Sequence, residues 1–79
     1  MTKRIEKTEL DIEQGYPAKQ FVAKLRRLAD CIEQNKTFRI QVGGERITVP
    51  PDAIINIEHE REAGIEEVEF QIKWPVAKQ

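Results

Sequence analysis

The sequence has little of what catalytic, disulfide-bonded and membrane proteins depend on. Its 79 residues include one cysteine and one histidine, and the formal net charge is −1. A lone cysteine excludes an intramolecular disulfide, and a lone histidine excludes a metal site built from several imidazoles. No apolar run is long enough to span a membrane, and the charged residues at the start do not fit a signal peptide. We therefore expect a soluble cytoplasmic protein.

The short length restricts function as well as fold. Seventy-nine residues allow a single domain with one small core. A substrate pocket of several hundred cubic ångströms would consume much of that core, which argues against an enzyme that acts as a monomer. We expect no cofactor, no bound metal and no small-molecule substrate. The balanced charge provides no global field that would attract nucleic acid or a membrane surface.

Alternating apolar and polar residues near the C-terminus predict a strand with one wet face. Val68, Phe70, Ile72 and Trp74 share the side that we expect to point into the core, with Trp74 closing its end. The rest of the chain is then expected to cover this apolar row.

A helical period runs from residue 17 to residue 34. Its apolar residues are spaced by four, three and four: Phe21, Leu25, Leu28 and Ile32. Pro17 suits the first turn of a helix, and Asn35 tolerates the left-handed conformation that often ends one. The pattern predicts one amphipathic helix with a buried face.

Two alternating runs flank Gly43-Gly44, which predicts a hairpin with a two-residue turn. Pro50-Pro51 ends the second run, and a further strand containing Ile55 and Ile57 leads to a turn near residues 62–64. Together these patterns predict an α+β domain in which the helix packs on a four-stranded antiparallel meander over residues 38–74. Residues 1–11 are expected to form an arm or an edge strand around residues 4–8, and residues 75–79 a tail.

The predicted register brings like charges together on the polar face of the sheet. Glu58 lies opposite Glu69, Glu60 lies opposite Glu67, and Arg46 is expected beside Glu58. Like charges directly across two strands repel. Either these carboxylates are simply solvated, or they dock a basic partner or a second copy. A bound cation is a third reading, although the pattern lacks the loop that fixes calcium geometry.

Two residues are candidates for reactive chemistry. His59 has the strand parity of the apolar row and is expected at the rim of the core, whereas Glu58 and Glu60 would point to the opposite face. Cys31 lies on the flank of the helix stripe and is expected to be a small, partly buried hydrophobic residue. An enzyme that used His59 or Cys31 would lack an evident partner for either.

The outer face of the helix carries the one basic cluster: Lys19, Arg26 and Arg27. Such a cluster is either a solvated face or a phosphate-binding surface, and no aromatic residues interleave with it.

Three segments resemble the small bacterial and archaeal amphi-Trp domain family. They are Leu25-Arg26-Arg27-Leu28-Ala29-Asp30 in the helix, Val49-Pro50, and Glu69-Phe70-Gln71-Ile72-Lys73-Trp74 at the end, so the resemblance covers about residues 17–74. It implies the same fold with an end point at Trp74. It implies no site, because that family has no established activity, and Tyr16-Pro17-Ala18 departs from the family's helix start.

The first function hypothesis is therefore a non-catalytic module that self-associates or binds another protein through the acidic sheet face or a strand edge. The alternative is a nucleic-acid-binding module that uses the basic helix face.

Overall fold

The computed structural model describes residues 13–76 and contains one helix followed by four strands. These elements are α1 (Ala18–Glu33), β1 (Phe38–Val42), β2 (Glu45–Val49), β3 (Ile54–Glu62) and β4 (Ile65–Lys73). β1 and β2 form one antiparallel hairpin, and β3 and β4 form a second. The predicted α+β class, with one helix and four antiparallel strands, is confirmed. The predicted arm or edge strand at residues 1–11 lies outside the described residues.

Local chemistry determines where the helix ends. Pro17 precedes it in an extended conformation, with no side chain capping the first turn. At the other end Asn35 adopts a φ of 57°, which is the left-handed conformation predicted for it. The Lys36 N–H then donates to the Cys31 carbonyl at 2.8 Å and the Asn35 N–H to the Ile32 carbonyl at 3.1 Å. This pair of hydrogen bonds is a Schellman motif, which satisfies carbonyls that the last turn leaves free.

The first hairpin forms in the predicted register. Gln41 pairs with Arg46 and Ile40 with Ile47. Gly43 and Gly44 both have positive φ, at 55° and 84°, as a tight turn between twisted strands requires. The Gly43 N–H also donates to the Gln14 side-chain oxygen at 2.7 Å, which ties the segment before the helix to this turn.

The second hairpin also has the predicted register. Ile57 pairs with Phe70, Glu58 with Glu69, and Glu60 with Glu67. Because paired residues in a hairpin lie on the same face, most apolar side chains and five of the six glutamates separate onto opposite faces, whereas Glu66 lies on the apolar side and Ile54 and Ile65 lie on the acidic side. We call these the apolar face and the acidic face of the β3–β4 hairpin.

The two hairpins do not join into the predicted meander, because β2 and β3 are not paired. Arg46 therefore does not lie opposite Glu58. Pro50 and Pro51 explain the break, since neither has an N–H to donate to a neighbouring strand and each fixes its own φ. The Ala53 N–H donates to the Pro50 carbonyl at 3.2 Å and closes a turn that directs β3 away from β2.

The core is small and lies between α1 and the first hairpin. Among residues 13–76, only Phe38 and Val49 are buried, with 5% and 7% of their surfaces exposed. Leu28, Cys31 and Ile72 are half-buried around them. The Arg27 guanidinium lies 4.8 Å from the centre of the Phe38 ring and donates to the Arg39 carbonyl at 3.2 Å, which fastens the helix to β1.

The expected burial of the C-terminal apolar row is only partly found. Ile72 and Trp74 are half-buried, but Val68 and Phe70 are 61% and 67% exposed. The alternation was predicted correctly, and the expectation that these two side chains enter the core was wrong. The physical reason is the break at Pro50-Pro51, since α1 approaches the base of the β3–β4 hairpin and leaves the rest of its apolar face uncovered.

The overall dimensions agree with this open arrangement. The Cα radius of gyration is 14.5 Å, whereas a compact chain of this length has one of about 12 Å.

We predict that Phe38→Ala will destabilise the protein by about 3–5 kcal/mol, because it removes the largest buried side chain and leaves a cavity beneath Arg27. Phe38→Leu retains most of the apolar volume and should cost clearly less. Chemical denaturation monitored by circular dichroism measures both changes. Arg39→Ala, an exposed neighbour in the same strand, is the control. Equal effects of Phe38→Ala and Arg39→Ala would contradict the position of the core.

Candidate interaction surfaces

An apolar opening lies between α1 and the apolar face of the β3–β4 hairpin. It has a volume of about 450 Å³. Its apolar lining, which we call the apolar wedge, consists of two helix residues and four strand residues: Leu28, Ile32, Ile55, Ile57, Phe70 and Ile72. Asn56 and Gln71 contribute at its edge. The wedge is open to solvent, since Ile57 and Phe70 are both about two-thirds exposed.

Exposed apolar residues continue beyond the wedge on both elements. Phe21, Val22 and Leu25 extend the helix stripe towards its N-terminus and are all exposed. Val68 extends the strand row and is exposed as well. Soluble monomers seldom leave contiguous apolar surface of this kind uncovered, and where they do it usually marks a binding surface.

The apolar residues of the helix stripe and of the strand row were predicted from the sequence to form the core. Their exposure to solvent was not predicted. The periodicity identifies which side chains share a face, and this part of the prediction is correct. It does not report whether the helix stripe and the strand row of one chain reach each other. The Pro50-Pro51 pair was the available signal, because two adjacent prolines between strands interrupt a sheet.

The acidic face groups the glutamates as the register predicted. The Gln71 amide donates to Glu58 at 2.6 Å and to Glu69 at 2.8 Å, so one neutral side chain bridges two carboxylates. A neutral bridge offsets part of the repulsion without adding a positive charge.

The pKa values of Glu67 and Glu69 on this face shift in opposite directions. The hydrogen bond to Glu69 and the negative charge of Glu69 raise the pKa of Glu67, and Glu60 and Glu13 add smaller contributions. Hydrogen bonds from Glu67 and then Gln71 lower the pKa of Glu69. Opposite shifts in two adjacent carboxyls are the pattern expected when one proton serves both.

His59 does not lie at the rim of a core, contrary to the prediction. More than half of its side chain is exposed, and its Nε2 lies 3.6 Å from the Glu66 carboxylate. Glu66 also pairs with Arg61. Glu58 and Glu60 lie on the opposite face of the hairpin, as predicted, so they form no dyad with His59.

Cys31 is a half-buried free thiol, in agreement with the role predicted for it. It lines a small cavity with Phe38, Val49 and Ile72. Among residues 13–76, no group of three or more histidine, cysteine or acidic side chains is placed to hold a metal ion.

The basic helix face is smaller than its sequence suggests. Lys19 and Arg26 are exposed, but the Arg27 guanidinium lies against Phe38 and donates to β1. Lys24 lies 5.0 Å from the centre of the Tyr16 ring. Two of the four helix cations therefore take part in contacts within the chain.

Charge is nevertheless divided unevenly between the elements. The segment from β3 to β4 contains six glutamates against Arg61 and Lys73, which makes its net charge −4. Helix α1 contains four cations against Asp30 and Glu33, which makes its net charge +2. Most of the negative charge of the hairpin lies on its acidic face, which is opposite the apolar wedge.

No helix in the described part of the chain is both long and apolar enough to cross a membrane. In comparisons with known proteins, no family model, no curated protein and no solved structure matches the chain. The resemblance to the amphi-Trp domain family therefore stays a prediction from the sequence.

We predict that Glu67→Gln will raise the melting temperature at neutral pH and low salt. The raised pKa of Glu67 means that the folded state binds this proton more tightly than the unfolded chain does, so wild-type stability falls as pH rises through the range of glutamate titration. Glutamine keeps a donor for Glu69 and removes the charge. The gain should disappear below about pH 4, where Glu67 is protonated in both states.

Thermal melts between pH 3 and pH 8 test this prediction, with Glu45→Gln in β2 as the matched control. A gain for Glu67→Gln that is the same at every pH would contradict the raised pKa of Glu67.

We predict that Arg27→Ala will lower the free energy of unfolding by roughly 1 kcal/mol, because it removes both the contact with Phe38 and the hydrogen bond to β1. Arg26→Ala, one position away on the exposed side, should change stability by only a few tenths of a kcal/mol. Denaturant titration of both variants measures the difference. Equal effects would show that Arg27 does not fasten the helix.

Proposed function

We propose that this chain is a non-catalytic self-association module whose working surface is the apolar wedge and its extension along α1 and β4. The observation that carries the proposal is that far more large hydrophobic side chains are exposed to solvent than are buried. Two hydrophobic residues are buried, whereas eleven large hydrophobic residues in the described region are exposed, and all of these except Ile54, Ile65 and Val76 belong to this surface. Buried apolar surface contributes about 25 cal/mol per Å² to stability, so covering this surface provides a strong driving force for association.

The proposal moves the docking surface from the acidic face, which the sequence suggested, to the opposite face of the same hairpin. The acidic face already has internal compensation from Gln71, whose amide bridges Glu58 and Glu69. No contact within the acidic face has a counterpart for exposed apolar side chains, because only burial removes their unfavourable hydration.

The alternative nucleic-acid function has less support, because Arg27 is engaged with Phe38 and the exposed cations of the former cluster are Lys19 and Arg26. A catalytic function also has little support. His59 pairs with Glu66 on an exposed strand, whereas Cys31 lies in a small cavity lined mainly by apolar residues. A cytoplasmic location stays a prediction.

We predict that Ile57→Glu will shift the protein to a monomer and lower its apparent affinity for itself at least tenfold, because it places a charge in the centre of the apolar face. Ile54→Glu is a closely matched control. Both residues are isoleucines of β3 with nearly equal exposure, 64% and 66%, but they lie on opposite faces of the hairpin. Sedimentation equilibrium over a thousandfold range of concentration measures the association.

Self-association also makes the wild-type melting temperature rise with concentration. A wild-type protein that stays monomeric throughout that range, or equal effects of Ile57→Glu and Ile54→Glu, would contradict the proposed surface. Retention on nucleic acid at low salt that is lost in Lys19→Ala/Arg26→Ala would favour the alternative function.

A further inference from the structure

We infer that two copies associate by reciprocal exchange, so that the apolar face of the β3–β4 hairpin of each copy packs on the α1 stripe of the other. This inference rests on the proposed function and specifies its partner and its geometry. The partner is a second copy of this chain, and the contact joins helix to sheet rather than sheet to sheet.

The first argument is that each copy has two unpartnered surfaces of complementary form. A helix stripe that contains Phe21, Val22 and Leu25 requires an apolar sheet face, and an apolar row that contains Val68 and Phe70 requires a helix. Within one copy the two surfaces meet only at the base of the hairpin, where Leu28 and Ile32 line the wedge with Ile55 and Ile72. Reciprocal exchange covers both surfaces in both copies through one type of contact repeated about a twofold axis.

The second argument is the area that exchange would bury. Phe21, Val22 and Leu25 on the helix, with Ile55, Ile57, Val68 and Phe70 on the hairpin, are each between about two-fifths and two-thirds exposed. Seven such side chains present on the order of 800 Å², which is about what each partner contributes to a stable interface of standard size.

The link between the hairpins supports exchange. Four residues, 50–53, connect β2 to β3, and two of them are prolines. A short and stiff link that holds an element away from its own chain is the kind of hinge at which elements exchange between copies.

Other occupants of the wedge account for fewer of these features. An apolar small molecule in a 450 Å³ opening would leave Phe21, Val22 and Val68 in water, because none of them lines it. The N-terminal segment of the same chain is another possible occupant. Its first twelve residues contain only Ile5, Leu10 and Ile12 as branched apolar side chains, beside six charged residues, so it offers little apolar surface for this role.

Disulfide trapping between two distinguishable copies tests the exchange. In a Cys31→Ser background, one protein contains Val22→Cys on the helix, and a second, tagged protein contains Val68→Cys on the hairpin. The two are refolded together from denaturant and oxidised, and non-reducing electrophoresis separates covalent heterodimers by mass. We expect the heterodimer to be the main covalent product. Glu60→Cys, on the acidic face, replaces Val68→Cys in the control mixture and should yield at least tenfold less.

The competing possibility is that each hairpin packs on the helix of its own chain. A chain that contains both Val22→Cys and Val68→Cys tests it. We expect this chain to form covalent dimers. A monomer with an internal disulfide would overturn the exchange and show that each hairpin closes on its own helix.

The remaining outcomes separate the failure of the exchange from the failure of self-association. A dimeric mass with crosslinks only between two Val68→Cys chains would overturn the exchange and retain the proposed function. A monomeric mass without crosslinks would overturn both. In that case, protection of the Val68→Cys thiol from alkylation would show that another part of the same chain packs on the apolar face of the hairpin.

Discussion

The conformation of the chain at Pro50-Pro51 determines how the rest of the structure is arranged. A sheet grows by hydrogen bonds between neighbouring strands, and the two prolines supply neither a donor nor a flexible φ at the point where β2 would pass to β3. The β3–β4 hairpin therefore leaves the β1–β2 hairpin instead of extending it. Because α1 is fastened to β1 through Arg27, the helix follows the first hairpin and approaches only the base of the second. The small core and the exposed apolar face are both consequences of this separation.

The two faces of the β3–β4 hairpin have different roles in association. Burial of the apolar face removes its unfavourable hydration, whereas the acidic face repels the acidic face of a second copy, even with the bridge from Gln71. A hairpin that was apolar on both faces could stack without limit, and open assemblies of that kind lead to fibres. Placing the glutamates on one face limits apolar association to the other. A closed pair of copies is the assembly that this division of charge favours.

Much of this fold could be predicted from the sequence, because its strongest signals are local. The helix boundaries were predicted to within one residue, and Gly43-Gly44 specified both the turn and the register of the first hairpin. The pairing of Glu58 with Glu69 followed once Ile57 was paired with Phe70 across the last hairpin. The relation between the elements could not be predicted in the same way. Strand parity places Val68 and Phe70 on one face, but whether a helix covers that face depends on the path at Pro50-Pro51 and on contacts distant in sequence. Our proposal places the docking surface on the other face for this reason, since strand parity directed the sequence-based hypothesis to the acidic residues.

The composition of the chain is consistent with a core that is completed between copies. Hydrophobic residues make up 39% of the sequence, which is enough for an ordinary globular core. In the described residues of one copy, however, only Phe38 and Val49 are buried. A sequence that was selected to fold alone as this open shape would carry polar side chains at positions such as Ile57 and Phe70, since surfaces in contact with water do not require apolar residues at regular strand spacing. The regular spacing of the apolar row, combined with its exposure, indicates a surface made to be covered. In the exchange that we propose, a second copy covers this surface with residues that the chain already contains.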